Sequence, residues 1–220
     1  MSHVWSQLRL VGYAAAVLVF ALVVAAGAMV LTAGKAPMTV LLMSMLLASV
    51  LGMYTGIRHP EIVYASTPID THFTCSSVTT VLLASLALQL LTSYVQVQVF
   101  GLPPDSESLA VKAGELAPNL FIYGILFPVA EELFFRQILW ERWSHLRIPN
   151  FLKTKTARIL GITLVFAAAH IPMWGLTTSL VLLPVSLFFT LVRAYTGGPL
   201  TSALGHCLFN SSAVVYAFTV

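Results

Sequence analysis

Charge is scarce in this chain: aspartate, glutamate, lysine and arginine together supply 9% of its 220 residues. Soluble domains carry roughly 25%, so a water-exposed globule is excluded. Cysteine is nearly missing as well, and two residues, Cys75 and Cys207, make no disulfide framework. Several catalytic signatures are absent. There is no His-Glu-x-x-His zinc motif, no Gly-x-Ser within an apolar run, and no aspartate pair inside one, since Asp70 and Asp105 fall between runs. No long polar insert, low-complexity tract or internal repeat interrupts the sequence, which argues against several domains and against the inverted repeats of many transporters. The net charge is only +3, and its basic residues lie beside apolar runs. That placement suits topology signals at a membrane surface, with no nucleic-acid partner.

What the chain does have is hydrophobic length. Apolar residues make up 58% and the mean hydropathy is +0.90. The fold class this predicts is all-α, a polytopic transmembrane helical bundle forming a single membrane domain over residues 1–220. Set against the roughly 20 residues that cross a bilayer, the apolar runs give about seven spans, at 10–32, 38–57, 77–100, 117–140, 158–174, 178–195 and 199–220. The first run exceeds the roughly 7–15 residues of a signal-peptide core and reads as a retained span. Trp140 and Trp143 at one edge of the bundle and Trp174 at the other fit interfacial aromatic belts.

Against this background one segment stands out: Phe127-Pro-Val-Ala-Glu131-Glu132-Leu-Phe-Phe-Arg136-Gln-Ile-Leu-Trp140. A charge at the centre of a spanning helix costs roughly 2.5–3.5 kcal/mol on insertion scales, and this span holds three ionisable side chains. His170 in the fifth span and His206 with Asn210 in the seventh are the other polar outliers. Counting about 1.5 Å per residue from the basic edge puts Glu131, His170, His206 and Asn210 at roughly 14, 18, 10 and 16 Å. Buried polar groups must find partners in hydrocarbon, and these four lie at heights where they can find each other.

Spacing within each helix suggests how they divide the work. Glu132 precedes Arg136 by four residues, the favourable order for an intrahelical ion pair, which leaves Glu131 about 100° round the helix to face another element. Phe166 and His170 share a face, separated by three alanines that let a neighbouring helix approach closely. His206 and Asn210, also four apart, can present two donors to one point. Pro128, lacking an N–H, should kink the fourth span one turn before the glutamates, and Pro172 should end or bend the fifth. A carboxylate beside an imidazole can take a proton from water, and two fixed donors can hold the oxyanion formed when that water attacks a peptide carbonyl. The plainer reading is that each histidine only bonds one helix to another, that Glu132 and Arg136 are structural, and that Phe134, Phe135 and Phe166 are packing.

The set Glu131-Glu132-x-x-x-Arg136, Phe166-x-x-x-His170 and His206-x-x-x-Asn210 resembles the three ordered motifs of the CPBP family of intramembrane endopeptidases. That family includes CAAX prenyl proteases of the Ras-converting type and bacteriocin-processing or self-immunity proteins. The resemblance covers a core at about 117–215. It implies Glu131 and His170 as the water-activating pair, His206 and Asn210 as the oxyanion hole, and support from Glu132, Arg136 and Phe166. It implies a membrane-associated protein or peptide as substrate, and no metal or other cofactor. Gln137 stands where many members have glycine, and seven spans replace the eight of the eukaryotic-type and archaeal enzymes. The residues alone leave zinc open, because Glu131, His170 and His206 would make a His₂Glu set. They also leave open a non-catalytic immunity or scaffold protein, and a transporter.

The bias of lysine and arginine sets an expected orientation in an inner or plasma membrane. Arg9, Arg58, Arg142, Arg147, Lys153, Lys155, Arg158 and Arg193 fall on one side of a seven-span chain and only Lys35 and Lys112 on the other. The basic side should be cytoplasmic, with the N-terminus inside and the C-terminus outside. Single cysteines in the 141–158 loop should react with an impermeant thiol reagent only after cells are opened; labelling in intact cells would overturn this topology.

Overall fold

A computed structural model describes residues 74–101, 116–146 and 148–219, all within a compact unit that spans Ser66–Val220. The runs expected at 10–32 and 38–57 lie outside the described residues. Every described element is helical. Helix α1, Cys75–Val99, starts at a capping box in which Thr74 Oγ1 accepts from the Ser77 amide and Ser77 Oγ from the Thr74 amide. Helix α2, Leu116–His145, carries the paired glutamates. A 3₁₀ turn at Asn150–Lys153 leads to α3, Lys155–Thr196, capped by Thr154. Gly197, in the left-handed conformation at φ 84°, ends α3 and admits the tight turn into α4, Leu200–Thr219.

Two expectations change here. The break in α3 falls at Gly175 rather than at Pro172: Gly175 has φ 74° and ψ 172°, a conformation that residues with a Cβ avoid. Secondly, among the described residues three helices are long and apolar enough to cross a membrane, Cys75–Val99, Leu116–His145 and Trp174–Thr196. The first arm of α3 and helix α4 occupy the runs expected at 158–174 and 199–220 without meeting that measure. Lys155 and Arg158 open the arm, and His206, Asn210 and several serines punctuate α4. The count of about seven is therefore not confirmed.

Burial is distributed as a lipid solvent demands. Leu83, Leu90, Leu91, Phe121, Leu164, Leu176 and Leu180 are exposed, whereas Ser85, Gln89, Thr92, Ser186, Thr190, Thr201 and Ser202 are buried. In water this arrangement would be inside out. In a bilayer, apolar side chains gain nothing by leaving the lipid, and small polar ones hold helices together. The protein is accordingly a membrane protein, with α4 packed against α1, α2 and α3. Val185 and Phe189 of α3 meet Phe209 of α4 in the buried core, flanked by Leu88 and Phe188.

Two glycines permit α4 to come this close. A Cβ at Gly205 would sit 2.8 Å from Ser85 Oγ and Val81 Cγ1 on α1, and one at Gly124 would sit 2.5 Å from Ser211 Oγ and 3.2 Å from the Ser211 Cα. The second contact involves backbone, which no rotamer change relieves. Gly124→Val should therefore push α4 off α2 and cost about 1–3 kcal/mol, the usual range for overpacking. Thermal denaturation in detergent checks it, and an unchanged midpoint would contradict the close packing.

Candidate active site

The residues singled out by spacing come from three helices, and most of them meet. Glu131 and Glu132 lie on α2, Phe166 and His170 on the first arm of α3, His206 on α4. Glu131 Oε1 lies 3.4 Å from His170 Nε2, and Glu131 Oε2 lies 3.6 Å from His206 Nε2. Each carboxylate oxygen thus faces its own imidazole. All three side chains are buried. Both separations exceed good hydrogen-bond length, so the groups confront one another without being locked together.

The far side of each ring fixes its orientation. His170 Nδ1 is 2.7 Å from the Phe166 carbonyl oxygen. A carbonyl only accepts, so Nδ1 carries the proton and a neutral His170 turns a bare Nε2 toward Glu131. His206 Nδ1 is 2.9 Å from Glu132 Oε1, a carboxylate–imidazole contact of the kind that sets a tautomer. The rings are also wedged: Phe166 lies 4.4 Å from His170 and 6.1 Å from His206 between centroids, and Phe189 stacks on His206 at 4.8 Å and 22°.

Glu132 binds as the spacing predicts and does more. Its Oε1 is 3.1 Å from Arg136 Nη1, both side chains being fully buried, and the same oxygen holds His206. Arg136 continues the chain of contacts. Its Nη2 donates to Ser186 Oγ at 3.0 Å and to the Ser186 carbonyl at 3.2 Å, and its guanidinium lies 4.4 Å from the Phe166 ring centroid. Phe135 packs edge-on to Phe166 at 5.0 Å.

Asn210 does not join this cluster: its Nδ2 donates to the Tyr123 carbonyl at 3.2 Å. The cause is Pro128. Instead of a sharp kink, α2 widens into π-helix at Leu120–Leu126 and again at Glu132–Leu139. The Phe127 amide donates to the Ile122 carbonyl, and residue 128 has no amide hydrogen, so the Tyr123 carbonyl loses both of the helical donors within reach. The i+4 donor of Gly124 is missing for the same reason, and Ser211 Oγ donates to that carbonyl at 3.3 Å. Cys207 Sγ approaches the Ile125 carbonyl at 3.8 Å. One stripe of α4, residues 207, 210 and 211, thus docks on carbonyls in the widened segment.

Sequence reasoning missed Ser186, Phe189 and the docking of α4 on residues 123–125. The first two carry no signal beyond helical spacing. The third was legible in principle, since a proline inside a helix frees carbonyls four or five residues before it.

For metal, no group of three or more His, Cys, Asp or Glu side chains among the described residues meets ligating geometry.

The two glutamates should respond oppositely to mutation. Removing Glu132 leaves the Arg136 charge buried without its partner, a change that costs about 3–5 kcal/mol. Glu131→Gln keeps the shape and touches no buried cation pair of this kind. Thermal unfolding in detergent should show Glu132→Ala strongly destabilised and Glu131→Gln close to wild type; equal losses would contradict this division.

No curated protein and no solved structure matches the chain. The match to a family model covers residues 113–212, just under half of the chain, and holds α2, α3 and most of α4 with every residue of the three motifs. That model is described as Type II CAAX prenyl endopeptidase Rce1-like, so over these residues the chain is similar to the family its motifs resemble.

Proposed function

We propose that the protein is a glutamate-type intramembrane endopeptidase that hydrolyses a peptide bond of a membrane-associated protein or peptide. The observation that carries this reading is the facing of both Glu131 oxygens onto two imidazole Nε2 atoms in a buried site. In this scheme Glu131 and His170 take the proton from a water, and the water oxygen attacks the carbonyl carbon. The tetrahedral intermediate collapses by breaking its C–N bond as the proton passes to the leaving amine; because water is the nucleophile, no covalent enzyme intermediate forms. His206 and Asn210 hold the oxyanion. With Nδ1 held by Glu132, His206 presents Nε2 to the developing charge. Asn210 has two amide hydrogens, one directed to Tyr123, and the second is its donor to the oxyanion.

The residues need no metal for this, and a chelator should leave cleavage intact. The site would open toward the cytoplasm of a plasma or inner membrane, with the bilayer itself as the enclosing partner. A prenylated CAAX peptide is the first substrate to try, on the strength of the family description.

A non-catalytic scaffold is favoured by one observation, the use of Asn210 as a helix-to-helix anchor. The two readings separate in a cleavage assay with purified protein and a farnesylated CAAX peptide, paired with proteomics of membranes from cells carrying wild type or Glu131→Gln. Glu131→Gln should be nearly inactive, and Asn210→Ala should lose on the order of 10²–10³ in rate, as for other oxyanion donors. Cys207→Ala should be close to silent. Full activity in Glu131→Gln would end the proposed mechanism.

A further inference from the structure

Arg193 belongs to none of the three motifs, yet it is 1% exposed, one of the largest fully buried side chains. Its Nε donates to the Arg136 carbonyl at 2.7 Å and its Nη2 to Glu141 Oε1 at 2.7 Å, with the guanidinium 5.3 Å from the Trp140 ring centroid. The α-helical donor to that carbonyl is diverted. Trp140, whose amide would close an α-turn on Arg136, donates to Gln137 instead. Buried ion pairs add little net stability over well-packed apolar replacements, so fixing geometry is the better account of a charge kept here.

Seven residues earlier, two turns back along the same face of α3, Ser186 binds the other end of Arg136 through its guanidinium. Between them Phe189 backs the His206 ring. Ser186, Phe189 and Arg193 therefore form one template face. It grips the motif arginine by side chain and backbone together, and supports the imidazole that Glu132 holds.

We propose that Arg193, itself held by Glu141, is a positioning residue: by fixing the Arg136 carbonyl it sets the rotation of Glu132–Leu139 and hence the contact between Glu132 and His206. A misplacement of about 1 Å at such a contact costs on the order of 10²-fold in rate. The effect on cleavage rests on the endopeptidase reading; the effect on the His206 contact does not.

The test uses full-length protein labelled with ¹⁵N-histidine in detergent, His206 being assigned by loss of its signal in His206→Gln. Two variants are compared with wild type. R193K keeps the charge but reaches only one of the two acceptors, and R193M/E141Q removes both charges so that neither is left unpaired. The expected result is that the folded double variant loses the hydrogen-bonded Nδ1–H signal of His206 and R193K weakens it, while the His170 signal, set by Phe166, stays unchanged. Cleavage of a farnesylated CAAX peptide should fall on the order of 10²-fold through kcat, with KM little altered and R193K between the extremes. A wild-type His206 signal in folded R193M/E141Q overturns the proposal, and should the double variant not fold, the same signal in R193K decides. The imidazole signal needs no substrate, so a wild-type protein that cleaves nothing would count against the endopeptidase reading alone.

Discussion

Burying the Glu132 carboxylate out of reach of water commits its neighbours to satisfying it. Arg136 does so from one turn along α2 and His206 from α4, both on the same oxygen. The placing of Arg136 and His206 follows from this junction. Arg136 must be held, and Ser186 holds it; His206 must be aimed, and with Nδ1 on Glu132 its Nε2 is left for Glu131. A lone carboxylate in hydrocarbon would be costly. Here the cost is offset by ordering three helices around one point.

The winding of α2 serves the same end. A regular α-helix uses all its interior carbonyls for itself. The π-winding and the proline at 128 leave the Tyr123 carbonyl without a helical donor, and the rest of the bundle docks on carbonyls of the wound segments: Asn210, Ser211 and Cys207 before the glutamates, Arg193 after them. π-bulges recur at functional sites, and the physical reason is visible here. A helix that gives up some of its own hydrogen bonds can be held by its neighbours at chosen residues.

Much of the site was legible in the sequence because lipid makes polarity conspicuous. Glu131, Glu132, Arg136, His170 and His206 stood out as costs, and their spacing foretold both the Glu132–Arg136 pair and the meeting of Glu131 with two histidines. The lengths of the apolar runs placed α1, α2, the two arms of α3 and α4. They could not say that Gly175 rather than Pro172 breaks α3, because a positive φ is decided by packing around the turn. Nor did they show that Asn210 would be drawn to Tyr123, or that Arg193, read as a charge at the membrane edge, is buried. Those depend on which carbonyls a widened helix leaves open, and apolar periodicity carries no record of that.

The central claim is that Glu131 activates water instead of attacking the peptide bond itself, and isotope transfer separates the two. A single turnover of cleavable substrate would be run in H₂¹⁸O with excess enzyme, and the product carboxylate and the peptide containing Glu131 would both be weighed by mass spectrometry. The account predicts ¹⁸O in the product after the first turnover and none in Glu131. An unlabelled first product with ¹⁸O appearing in Glu131 would mean an anhydride intermediate and would contradict it.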